Sequence, residues 1–231
     1  MSQEPNGPAQ AFADPSTTSD YASKTARLVP GYADLQKMAA LLVAERAPAR
    51  ANVLVVGAGG GVELKAFADM HPDWRFVGVD PSKPMLEQAQ ATLGALAARV
   101  ELHHGYVETA SEGPFDAATC LLTMHFVTVD ERLRMLREIR RRLVPGAPFV
   151  MAHMSFPQEP GEKERWLSRY VDFAVSSGVD SLNARNAASA ITSKLSILSP
   201  VDEEALLVET GFTAVNLFYA GLAFRGWVAQ A

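Results

Sequence analysis

Short continuous apolar runs alternate along this chain with apolar residues three and four positions apart, the signatures of buried strands and of helices. The pattern is sharpest over 52–64. There Val53-Leu54-Val55-Val56 breaks into Gly57-Ala58-Gly59-Gly60-Gly61, and helical spacing resumes with Leu64, Phe67 and Met70 until His71-Pro72. Strand, tight loop and helix follow from that order. Further runs predict strands at 74–79, 100–104, 115–122 and 147–153, and a closing pair at 215–219 and 222–228 joined tightly through Ala220-Gly221. Between them lie helical stripes. Leu35, Met38, Leu41 and Leu42 mark one before the first strand, and Met85, Leu86, Ala89 and Leu93 another behind a Ser82 cap. Thr128 and Glu131 form a capping box for a helix with inner stripe Val129, Leu133, Leu136, Ile139 and Leu143. Residues 155–198 carry two more helical patterns, and Ser199-Pro200 opens a last helix that stops at Gly211. The alternation predicts an α/β fold: a doubly wound seven-stranded sheet whose last strands form an antiparallel hairpin, with a helical substrate cover after strand five.

The glycine corner suggests the chemistry. Glycine tolerates positive φ and lets a ligand approach the bare backbone. Asp80 closes the second strand, where its carboxylate can accept both hydroxyls of a ribose, so an adenosine-containing ligand across the carboxyl ends of strands one and two is expected. A dinucleotide site needs G-x-G-x-x-G, because a pyrophosphate must reach the helix N-terminus. Here the third glycine of that pattern falls on Val62, and the spacing present is Gly57-x-Gly59-x-Gly61. That is the spacing of S-adenosylmethionine sites, and it opposes a nicotinamide enzyme.

With Asp80 and the following Pro81-Ser82-Lys83-Pro84-Met85-Leu86, this stretch resembles the class I S-adenosylmethionine-dependent methyltransferases, whose fold is Rossmann-like. From Leu28 onward the motif order is similar to their carboxy-S-adenosylmethionine synthase branch, whose product modifies the tRNA wobble uridine. Val29-Pro30-Gly31-Tyr32 matches a segment whose tyrosine contacts the cofactor, Gly57, Ala58 and Gly59 the first glycine loop, and Thr123-Met124-His125-Phe126 the exit of strand four. The resemblance implies cofactor contacts at Tyr32, Gly57, Ala58, Gly59, Gly61 and Asp80. It extends them to Pro81 and Met85 beside the adenine, Tyr106 and Val107 after strand three, and Leu121 and Leu122 at the end of strand four. Four positions depart from the branch. Val55 and Tyr106 stand where acids are usual, Leu121 where an asparagine is, and Ala188 near the arginine that meets the extra carboxylate. A carboxylate in a closed pocket needs a cation. The main reading is therefore in-line methyl transfer to a small-molecule acceptor, with a carboxy-S-adenosylmethionine synthase-like enzyme or a non-catalytic binder as alternatives. His125 and His153, near the exits of strands four and five, are the reachable candidates for a catalytic base.

Composition adds limits. The 231 residues suffice for a single domain over 21–231, and 1–20, rich in Pro, Ser, Thr and Ala, is expected to be disordered. A net charge of −5 offers no general field for nucleic acid, which leaves the arginines of 132–142 as a secondary candidate surface. The single cysteine, Cys120, precludes an internal disulfide and reads as a buried strand residue. Adjacent His103 and His104 point to opposite faces of a strand and cannot chelate one metal as a pair. No leader and no membrane span are read, which makes a cytoplasmic protein the expectation. A homodimer is left open.

Overall fold

The computed structural model describes residues 21–231, and the disorder expected over 1–20 lies outside them. Strands β1 (Asn52–Val56), β2 (Arg75–Asp80), β3 (Val100–His104), β4 (Ala117–Leu121) and β5 (Pro148–Met154) are parallel, and β6 (Thr213–Gly221) and β7 (Phe224–Gln230) complete one seven-stranded sheet. The order is β3-β2-β1-β4-β5-β7-β6, with β7 antiparallel to both its neighbours. β1 pairs β2 on one side and β4 on the other, so the direction of winding reverses there.

Alternation along β1 divides the core. Val53 and Val55 face one layer with Leu35, Ala39 and Val43 of α2 (Tyr32–Ala44) and Leu64 and Phe67 of α3 (Val62–Met70). Leu54 and Val56 face the other, with Leu136 and Ile139 of a later helix (Val129–Arg142) and Leu206 and Leu207 of the last (Pro200–Glu209). Both faces of the central strands are thus covered, as their unbroken apolar runs require. In chain order the helices are α1 (Tyr21–Ala26), α2, α3, α4 (Lys83–Leu93), α5 (Val129–Arg142), α6 (Glu162–Ser176), α7 (Ser181–Lys194) and α8 (Pro200–Glu209). The caps at Ser82, Thr128 and Ser199 all form.

The hairpin turns later than its sequence suggests. Gly221 still pairs with Phe224, and Leu222 takes the positive φ of 53° at the turn. Gly221 serves another purpose. A Cβ on it would lie 2.1 Å from the Tyr219 hydroxyl, which donates a 2.5 Å hydrogen bond to the Pro30 carbonyl and ties the loop before α2 to β6.

Candidate functional site

A cavity of about 500 Å³ opens at the carboxyl ends of β1, β2 and β4, at the switch in winding. Its volume falls in the range of roughly 300–1,000 Å³ that holds small ligands and cofactors, and its position is where open α/β sheets bind them. Tyr32, Gly57, Ala58, Gly59, Asp80, Pro81, Met85, Tyr106, Val107, Leu121 and Leu122 all line it.

The floor is the glycine loop. The amides of Gly57 and Ala58 donate to the Val79 carbonyl at 2.8 and 3.0 Å, which locks the loop to β2. Gly57 has φ 76°, and a Cβ there would stand 2.0 Å from Thr123 Oγ1, so a side chain is excluded on both counts. The Gly59 amide donates to one Asp80 oxygen at 2.9 Å, and the Ser82 amide to the other at 2.8 Å. Each oxygen keeps a lone pair for a ribose hydroxyl. Burial pushes the Asp80 carboxyl above the usual carboxylate range, against the opposing pull of these two amides and His104. Gly61 is the exception among the expected contacts. It does not line the cavity, and a Cβ on it would meet Ala89 Cα at 2.8 Å, so this glycine lets α3 approach α4.

Leu122, just past β4, has φ 56° and donates its amide to the Ala152 carbonyl at 2.5 Å. Strain of this kind in a non-glycine residue concentrates at functional sites. The sequence reading missed two polar side chains of the wall. Gln36 is buried on α2, one turn beyond Tyr32, and its Oε1 has no hydrogen-bond partner. Glu63, in the first turn of α3, is bonded to the Thr119 hydroxyl, and burial pushes its carboxyl up to about 8 against that bond. An acid in the first turn of a helix reads locally as a dipole partner, which hid it.

The structure relocates other expectations. His125 and His153 do not line the cavity. His153 is fully buried, with Nε2 2.8 Å from Glu203 Oε1. His125 accepts the Met154 amide at 3.3 Å and packs on Phe126, which does reach the wall. Burial, with His153 and Arg132 nearby, holds the His125 imidazole well below its ordinary value. The α5 arginines are not a free basic face. Arg132 and Arg142 are each 1% exposed. Arg132 binds Glu203 and donates to the carbonyls of Met124 and Ser196 at 2.8 and 2.7 Å. Arg142 and Arg141 pair with Glu138, Arg141 also with Glu112, Arg137 with Glu209, and Arg140 donates to the Gly211 carbonyl. These partners engage five of the six arginines of α5, and Arg134 is exposed and reaches the cavity wall. The helical insertion after β5 packs Tyr170 and Ile191 into the core and contributes no residue to the cavity wall. Cys120 is buried, which pushes its thiol well up. Among the described residues no helix is long and apolar enough to cross a membrane.

Residues 53–146 match the methyltransferase domain family. The fold is similar to an O-methyltransferase family protein from Burkholderia thailandensis (TM-score 0.67, 17% identity, 96% of this chain and 61% of that one). It is also similar to the mitomycin 7-O-methyltransferase MmcR (TM-score 0.60, 19% identity, 85% and 54%). The chain spans little more than half the length of these two structures. Fold, site and domain match define a resemblance to the class I S-adenosyl-L-methionine-dependent methyltransferases, and they imply that compound as the cofactor. Among named relatives, the chain is similar to the carboxy-S-adenosyl-L-methionine synthase of Campylobacter lari, 23% identical over 94% of this chain and 92% of the relative. It is likewise similar to that of Chromohalobacter salexigens, 26% identical over 88% and 77%.

Proposed function

We propose that this protein binds S-adenosyl-L-methionine in the cavity above β1, β2 and β4 and transfers its methyl group to a small-molecule acceptor. The observation that carries the reading is the glycine loop latched to Asp80: a carboxylate with both oxygens oriented by backbone amides, beside a loop whose first glycine, Gly57, has no room for a Cβ. The bound sulfonium supplies an electrophilic methyl whose leaving group is already good, so the protein's task is alignment and exclusion of water. Asp80 holds the ribose hydroxyls. Pro81 and Met85 give the adenine an apolar border, and Tyr32 and Leu122 close the cavity from α2 and β4. The acceptor enters beside Phe126, Val127 and Met135. The end of the insertion docks at the same corner, where the Ser196 amide donates to the His125 carbonyl at 3.0 Å. No histidine lines the cavity among the described residues, so proton removal by His125 or His153 is not part of this reading.

The relatives support a second reading, carboxy-S-adenosyl-L-methionine synthesis, since the Campylobacter lari protein is covered over 92% of its length. The wall counts against it. Among the described residues Arg134 is the only lysine or arginine lining the cavity, and Ala188, near the position of the branch's arginine, packs against the core. Calorimetric titration tests the main proposal. S-adenosylhomocysteine is expected to bind with one-to-one stoichiometry while NADH gives no heat of binding, and the reverse pattern contradicts it.

A further inference from the structure

Val55, near the end of β1, stands where the branch that the chain resembles carries an acid. The structure shows a carboxylate arriving at the same place from another element. Val55 of β1 and Thr119 of β4 are paired residues of adjacent parallel strands. Their side chains therefore share a face of the sheet, at the strand spacing of about 4.8 Å. The Thr119 hydroxyl holds Glu63 Oε1, which sets the carboxyl of α3 beside the side chain of Val55 and in the cavity wall.

Both Glu63 and its neighbourhood are short of partners. Thr119 is the only hydrogen-bond partner of the Glu63 carboxyl among the described residues, and no cation balances it. Gln36 stands in the same wall, on a helix packed against α3, with its buried Oε1 lacking a donor. Buried acceptors without donors are costly, and they are kept where a ligand completes them. A group with several N–H donors and a positive charge completes both acceptors and draws Glu63 into its ionised form, and a primary ammonium has both properties.

Resting on the methyl-donor reading above, we infer that Glu63, assisted by Gln36, binds the α-ammonium of the donor's aminoacyl end, replacing from the helix the acid that β1 lacks. Thr119 is a positioning residue in this arrangement: it fixes one carboxyl oxygen and leaves the other for the ligand.

The experiment measures calorimetric affinities of wild type and Glu63→Gln for S-adenosylhomocysteine and for 5′-deoxy-5′-methylthioadenosine, which lacks the aminoacyl group. Glu63→Gln is expected to weaken S-adenosylhomocysteine tenfold or more and to leave methylthioadenosine within twofold. Equal S-adenosylhomocysteine affinity in the two proteins overturns the role of Glu63 while the donor reading stands. Failure of wild type to bind either ligand overturns the donor reading itself. Should the variant misfold, wild type alone decides: a desamino analogue of S-adenosylhomocysteine binds at least tenfold more weakly than the parent, and equal affinity overturns the inference.

Discussion

At the scale of single residues, the site combines groups whose spacing announces them with groups that only the fold can reveal. Glu63 belongs to the second kind and has a measurable consequence for the ligand-free protein. Its carboxyl is pushed from about 4.5 to about 8 by burial. Between those values the folded chain keeps a proton that the unfolded chain has released, so this contribution is intact below pH 4.5 and lost as pH rises towards 8. Urea unfolding across that window is expected to show stability falling with pH in wild type, and a flatter profile in Glu63→Gln. Parallel profiles contradict the assignment. By contrast, the places of Gly57, Gly59 and Asp80 at the ends of β1 and β2 were legible directly, because the conformational freedom of glycine and the position of an acid at a strand end are local properties. Gly61 was legible as a glycine but not as a packing glycine, since its requirement comes from Ala89 on another helix.

Elements show where local reading stops. The strands and the caps of α4, α5 and α8 follow from apolar runs and short polar patterns and were read to within a few positions. The burial of α5 was read only in part. Arg132 stands three residues after Val129 and four before Leu136, which is inner-face spacing, yet its charge argued for solvent. The structure buries Arg132 with Leu136 and Ile139 and leaves Val129 37% exposed. What permits this is Glu203 of α8, remote in sequence. Burial alone would raise the Glu203 carboxyl, but His153 and Arg132 beside it outweigh burial and hold it below the ordinary value. The cluster fastens α5, α8 and the end of the insertion around the exit of β4. Glu203→Gln leaves the Arg132 charge without its counterion and is expected to cost about 3–5 kcal/mol, read from the urea midpoint. A loss under about 1 kcal/mol contradicts a structural role for the pair.

For the whole molecule, function follows from the order in which the strands are laid down. Because β1 is flanked by β2 and β4, the loops after these strands diverge and leave a cavity, and the glycine loop and Asp80 fall on its rim. The sequence indicated this architecture because each strand–helix unit is patterned on its own. It did not show that the insertion after β5 stays out of the cavity wall, nor that both buried histidines belong to the packing around Glu203, since those are relations between distant segments. The central claim, a methyl-donor site built on Gly57, Gly59 and Asp80, is tested most directly by native mass spectrometry of freshly purified protein, followed by denaturation and identification of what is released. The account predicts S-adenosyl-L-methionine or S-adenosylhomocysteine, either carried through purification or taken up on addition. A protein that emerges empty and also ignores added S-adenosyl-L-methionine contradicts it.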